Sequence, residues 1–128
     1  MKKKIVKVLS TLLIGCSLFA VPSSANTWYE YQDSAGYRIT WGMYDDNGQW
    51  PQGWYQENGL WYYFPGQGLA AQGLKTIDGK DYYFDPINCD MKHDQYVKVG
   101  SGRQGMWYWT NSDGSINYDY NWLPESLR

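Results

Sequence analysis

The chain has 128 residues with 11 basic and 13 acidic side chains, a formal net charge of −2, and so lacks the basic face that a nucleic-acid backbone demands. Its apolar area comes from 8 Trp, 13 Tyr and 3 Phe, which excludes an ordinary Leu/Ile/Val core and calls for stacked aromatic rings instead. His93 is the only histidine, which excludes an HExxH metal pair and leaves a Cys or Ser nucleophile without a second imidazole.

In chain order, Met1 and the lysines at 2, 3 and 4 form a positive n-region, and Ile5 to Val21 is an apolar run. It ends at Pro22, Ser23, Ser24 and Ala25, a small-residue cleavage pattern, so residues 1–25 are predicted to be a secretory signal that is removed. Leu13-Ile14-Gly15-Cys16 is similar to a bacterial lipobox, but the apolar run continues past Cys16 through Val21, which favours simple secretion. Cleavage after Ala25 leaves 103 residues and removes four lysines and no acid, which shifts the net charge to −6. No other segment approaches the ~20 apolar residues of a membrane span.

Residues 26–52 read as an N-terminal cap and a degraded repeat. The first regular unit is 53–72, which opens GWYQENGLWYYFPGQG. Asn58-Gly59 is a type I′ turn signal, the strands on either side are aromatic, and Pro65 with two glycines ends the pairing. Residues 73–94 repeat the pattern, with Asp78-Gly79 at the turn and Tyr82-Tyr83-Phe84 in place of Tyr62-Tyr63-Phe64. Gly53 and Gly73, like Phe64 and Phe84, stand 20 residues apart. Twenty residues upstream, Trp41, Tyr44 and Gly48 match Trp61, Phe64 and Gly68. In 95–128, Met106 to Trp109 is taken as the aromatic strand of a last unit, with an insertion near Val99 to Gln104 and a cap. A fixed period of this size predicts an all-β fold, a β-hairpin solenoid of about 20-residue aromatic repeats whose neighbours stack to make the core.

Cys16 leaves with the signal, so Cys89 stands outside any internal disulfide; it reads as a tolerated turn substitution or as the seat of an intermolecular disulfide. The acids lie mostly in turns, where Asp serves local backbone hydrogen bonds, and neither Asp45 to Gly48 nor Asn111 to Gly114 has calcium-loop spacing. No catalytic residue, metal site or cofactor is expected.

Binding has better support. A two-residue turn at Asn58-Gly59 sets Gln56 opposite Trp61 and Trp54 opposite Tyr63, all on one face. That face serves either as packing surface or as an aromatic recess, and Tyr83 of the next hairpin is placed to close the recess. The motif GW-x4-NG-x-WYYF with its Gly-rich linker, and GLKTIDGKDYYFD after it, resemble the cell-wall-binding (choline-binding or glucan-binding) repeats of Gram-positive surface proteins. The resemblance covers about Tyr37 to Trp122. It implies a secreted, cell-wall-associated β-hairpin solenoid and no enzyme.

In the choline-binding members the ligand is the quaternary ammonium of teichoic acid, caged by aromatics. Residue by residue, the resemblance assigns that cage to Trp54, Trp61 and Tyr83. Leu74 and Asp81 replace the two cage tryptophans of the next repeat, Met106 takes the strand position in the last, and Ser34 stands where an upstream opening Trp would be, so one full cage remains. Related repeats recognise α-glucan, for which the same rings would serve as stacking platforms. A surface module that binds a protein partner and no small ligand is the third expectation. A single weak site is useful through repetition on a polymer or through self-association.

Overall fold

The computed structural model describes residues 3–8, 26–100, 102, 105–119 and 126. Every regular element among them is a strand. No helix among them is long and apolar enough to cross a membrane. The predicted cleavage junction at Ala25 and the lipobox cysteine Cys16 lie outside the described residues. The chain divides into two compact units, Met1–Gly53 with Phe64–Ala70, and Trp54–Tyr63 with Ala71–Arg128.

The first unit holds β1 (Lys3–Val8), β2 (Thr27–Gln32) and β3 (Arg38–Tyr44), in the order β1-β2-β3 and antiparallel. β1 belongs to the segment predicted to be a leader, so processing after Ala25 would leave β2–β3 as a plain hairpin. Its turn is set by Asp33, whose Oδ1 accepts from the amides of Ala35 and Tyr37, each at 2.9 Å. Tyr29 lies across the strands from Gly42 and packs where a Cβ would stand, 2.2 Å from its ring, so that position requires glycine. Residues 66–70 run beside β3: the amides of Met43 and Ala70 donate to Gly68 O and Trp41 O at 2.9 and 2.8 Å, and Thr40 Oγ1 donates to Ala70 O at 2.8 Å. Trp28, Tyr29, Met43, Phe64 and Ala70 are buried in this unit.

The second unit is built on β4 (Gly53–Glu57) and β5 (Leu60–Phe64), apart from their outer residues Gly53 and Phe64, followed by β6 (Gly73–Ile77) and β7 (Lys80–Phe84). Both turns have the type I′ signature in their φ angles, 51° and 77° at Asn58 and Gly59 and 50° and 79° at Asp78 and Gly79. The hairpins expected at these two turns are therefore present, 20 residues apart. They stack through side chains and through a connecting loop. The Trp54 ring lies 5.9 Å from Phe84, the Met91 amide donates to Trp61 O at 2.7 Å, and the Lys92 amide donates to Tyr83 O at 2.8 Å. Ala71, Ile77, Phe84 and Met91 form the buried cluster, with Tyr63 and Tyr82 packed against it. The protein is thus an all-β chain of hairpin repeats, the β-hairpin solenoid class.

The loop after β7 is ordered by an ion triad, in which Lys92 Nζ lies 3.1 Å from carboxylate oxygens of both Asp85 and Asp90. Within this loop Cys89 has φ 65° and is fully buried, so the folded chain offers its thiol no route to an intermolecular disulfide.

The C-terminal strands add one pairing to the expectation. β8 (Gln95–Val99), β9 (Met106–Thr110) and β10 (Ile116–Asn117) form a meander with β9 in the centre. Met106 to Trp109 is the second strand of the β8–β9 hairpin, as Tyr82 to Phe84 is of its own, with Val99 paired to Met106 at the inner end, and β9 pairs with β10 on its other edge. Positive-φ glycines lie on both sides of the aromatic strand, Gly100 at 94° and Gly102 at 62° before it and Gly114 at 83° after it, so β9 is also the first strand of the β9–β10 hairpin.

Candidate functional site

Trp54 on β4 and Trp61 on β5 lie on one face because the two-residue turn puts Trp54 opposite Tyr63, with their rings 5.3 Å apart. The two indoles stand almost perpendicular, 86° at 6.3 Å, and form a corner. Both keep more than a third of their surface exposed, 37% and 39%, although Trp54 also packs on Tyr82 and Phe84. The third wall is Tyr82, 5.0 Å from Trp54 at 75°. Met91 closes the floor. These side chains, with a rim of His93, Ser112 and Asp113, enclose an open recess of about 600 Å³.

The structure brings Trp54 and Trp61 together as expected, but it sets Tyr82, and not Tyr83, against them. Successive residues of a strand point to opposite faces, so β7 can offer either Tyr82 and Phe84 or Asp81 and Tyr83. Identical hairpins stacked in one direction meet top to bottom. The tryptophan face of one hairpin therefore meets the opposite face of the next, which carries Tyr82 and Phe84. Tyr83 lies across from Leu74, away from the recess.

Besides Tyr82, the side chains of Met91, His93, Ser112 and Asp113 were not foreseen from the sequence. Met91 reaches the floor through its backbone bond to Trp61 O, which no local pattern signals. Ser112 and Asp113 read as an ordinary turn, and it is the β9–β10 meander that carries them to the rim. Asp113 Oδ1 accepts from Ser115 Oγ at 2.5 Å and from the Ser115 amide at 2.9 Å, and these contacts hold the carboxyl below the usual range, hence ionised. Lys80 Nζ sits 3.3 Å from its Oδ2 in an exposed ion pair. Across the rim, His93 Nδ1 is 2.8 Å from Asp94 Oδ2. Among the described residues no group of three or more His, Cys, Asp or Glu side chains gathers to hold a metal.

The corresponding position one repeat later is closed. Asp81, in place of a tryptophan, accepts from Thr76 Oγ1 at 2.5 Å and from the hydroxyl of Tyr118, whose ring stacks edge-on against Tyr108 at 4.9 Å. In the first unit, Trp28 takes the opening-tryptophan place that counting by 20 assigns to Ser34. It lies across from Met43, the residue one period before Tyr63, and packs on Phe64 at 5.9 Å and 41°, much as Trp54 packs on Phe84 at 5.9 Å and 39°. The matching strand tryptophan, Trp41, carries the Arg38 guanidinium over its ring at 5.0 Å.

Both regular hairpins match the profile of the cell wall binding repeat, over residues 52–70 and 72–86. The choline-binding domain of Spr1274 from Streptococcus pneumoniae is 35% identical, over 54% of this chain and 97% of that domain, with a TM-score of 0.45. The chain belongs to the cell-wall-binding repeat family. Among other family members, the multimodular pneumococcal cell wall endolysin of phage Cp-1, solved with choline, is 31% identical with a TM-score of 0.54, over 75% of this chain and 25% of that one. Glucosyltransferase-S of Streptococcus mutans serotype c is 33% identical over a 79-residue alignment, covering 47% of this chain and 5% of that one. The chain therefore spans a small part of the enzymes it resembles.

Proposed function

We propose that this chain is a secreted, non-catalytic, wall-associated binding module whose recess takes the trimethylammonium group of choline, as borne by teichoic acid. The observation that carries this reading is the corner of two perpendicular indoles closed by Tyr82, since several ring faces turned to one point attract a cation that cannot hydrogen-bond. Two further observations support it. In the first unit Trp41, the counterpart of Trp61, already has a cationic side chain over its ring. The related endolysin was solved with choline. The rim favours binding over hydrolysis, because the contacts of Asp113 lower its proton affinity, whereas a general acid needs it raised.

A second reading, α-glucan binding, is favoured by the likeness to glucosyltransferase-S and by the polar rim of His93, Ser112 and Asp113. The two separate in a titration of tryptophan fluorescence with choline and with soluble dextran, on wild type and on Trp61→Ala. Three ring faces at about 1 to 2 kcal/mol each give a dissociation constant on the order of millimolar for choline. Trp61→Ala is expected to lose both the signal and retention on a choline matrix. A dextran response without a choline response would move the assignment to glucan, and silence to both would leave the rings as packing alone.

A further inference from the structure

The recess has a charged rim that its aromatic walls do not explain. Asp113 lines it from the β9–β10 turn, while the tryptophans come from β4 and β5. An aromatic corner favours a quaternary ammonium, but part of its attraction, the dispersion and burial that ring faces offer any alkyl group, is shared by a neutral group of the same shape. A carboxylate beside the corner responds only to charge. We propose that Asp113 is the residue that makes the recess select a positive charge, with Lys80 as the internal cation that the ligand displaces from it; this rests on the cation reading above.

The geometry supports an exchange. The Lys80–Asp113 pair is half exposed on both sides, 60% and 51%, and such pairs hold weakly in water. Lys80 touches Asp113 through Oδ2, whereas Ser115 fixes Oδ1, so the carboxylate stays oriented when Lys80 swings away. His93, also at the rim, is engaged by Asp94, with Nδ1 2.8 Å from Oδ2.

The test compares choline with dimethylbutanol, its neutral isostere with carbon in place of the quaternary nitrogen. The ratio of the two affinities is measured by fluorescence titration at low salt. Asp113→Asn keeps an Oδ1 acceptor for the Ser115 amide and hydroxyl, and so keeps the turn, while it removes the charge. The proposal expects the preference for choline to fall about two- to fivefold in Asp113→Asn and to rise by a similar factor in Lys80→Gln, both effects fading in high salt. Opposite shifts from two rim substitutions do not follow from loss of structure. If choline binds wild type and both variants with one unchanged ratio, Asp113 does not select charge, although the aromatic recess stands. If wild type responds to neither compound, the cation reading fails and this proposal with it.

Discussion

The choice between Tyr82 and Tyr83 as the third wall gives the most direct test of the recess. Tyr82→Leu keeps most of the buried volume while it removes the ring that stands 5.0 Å from Trp54. One ring face of three is worth about 1 to 2 kcal/mol toward a bound cation, which predicts choline binding about 5- to 30-fold weaker. The same ring packs against the buried cluster around Phe84 and Met91, so the substitution also lowers stability, by about 1 kcal/mol for the lost ring-to-ring contact. Affinity must therefore be expressed per folded molecule, with near-ultraviolet circular dichroism recorded on the titrated samples. Tyr83→Leu, facing Leu74 across the hairpin, is expected to leave the affinity within about twofold of wild type, the size of an indirect effect. A large loss in Tyr83→Leu beside an unchanged Tyr82→Leu would refute the top-to-bottom stacking argument.

Two stability predictions follow from the packing. Phe84 is fully buried under Trp54, so Phe84→Ala should cost about 3 to 5 kcal/mol in urea unfolding, much of the margin of a small domain; a loss under about 1 kcal/mol would show that the ring is not a keystone of the stack. The pH profile of the urea midpoint should be flat between about pH 5 and 9 and fall on both sides. Burial opposes ionisation of Asp85, but the amides of Asn88 and Ile87 and then Lys92 outweigh it, so its pKa is lowered and its contribution is lost as pH falls below the unfolded carboxylate range. On the alkaline side burial lowers the pKa of Lys92, yet Asp90 and Asp85 raise it further, and burial pushes Tyr62 up to about 12. Both contributions are complete below the unfolded values and are lost as pH rises through the folded ones. Stability that climbs between about pH 9 and 11 would contradict this account.

What was legible in the sequence is what one hairpin decides for itself. Asn58-Gly59 and Asp78-Gly79 need positive φ at both positions, few residue pairs tolerate that, and the pair therefore fixes the turn, the register and the shared face of Trp54 and Trp61. What was not legible is what hairpins decide between them. A 20-residue period marks which side chains are equivalent, and equivalence suggests looking for a partner at the equivalent face of the next unit. Stacking in one direction forbids that, since the upper face of one hairpin can meet only the lower face of its successor. The opening tryptophan therefore meets the phenylalanine that ends the following hairpin, as Trp54 meets Phe84 in one unit and Trp28 meets Phe64 in the other. Counting failed to find Trp28 because the β2–β3 turn is longer than two residues, so a constant offset pointed to Ser34; strand pairing with Met43 restores the correspondence. The rim is a still longer-range matter. Asp113 earns no notice as a turn residue in the sequence, and only the further turn and strand that β10 adds to the β8–β9 hairpin carry its charge to a recess whose tryptophans lie more than fifty residues earlier in the chain.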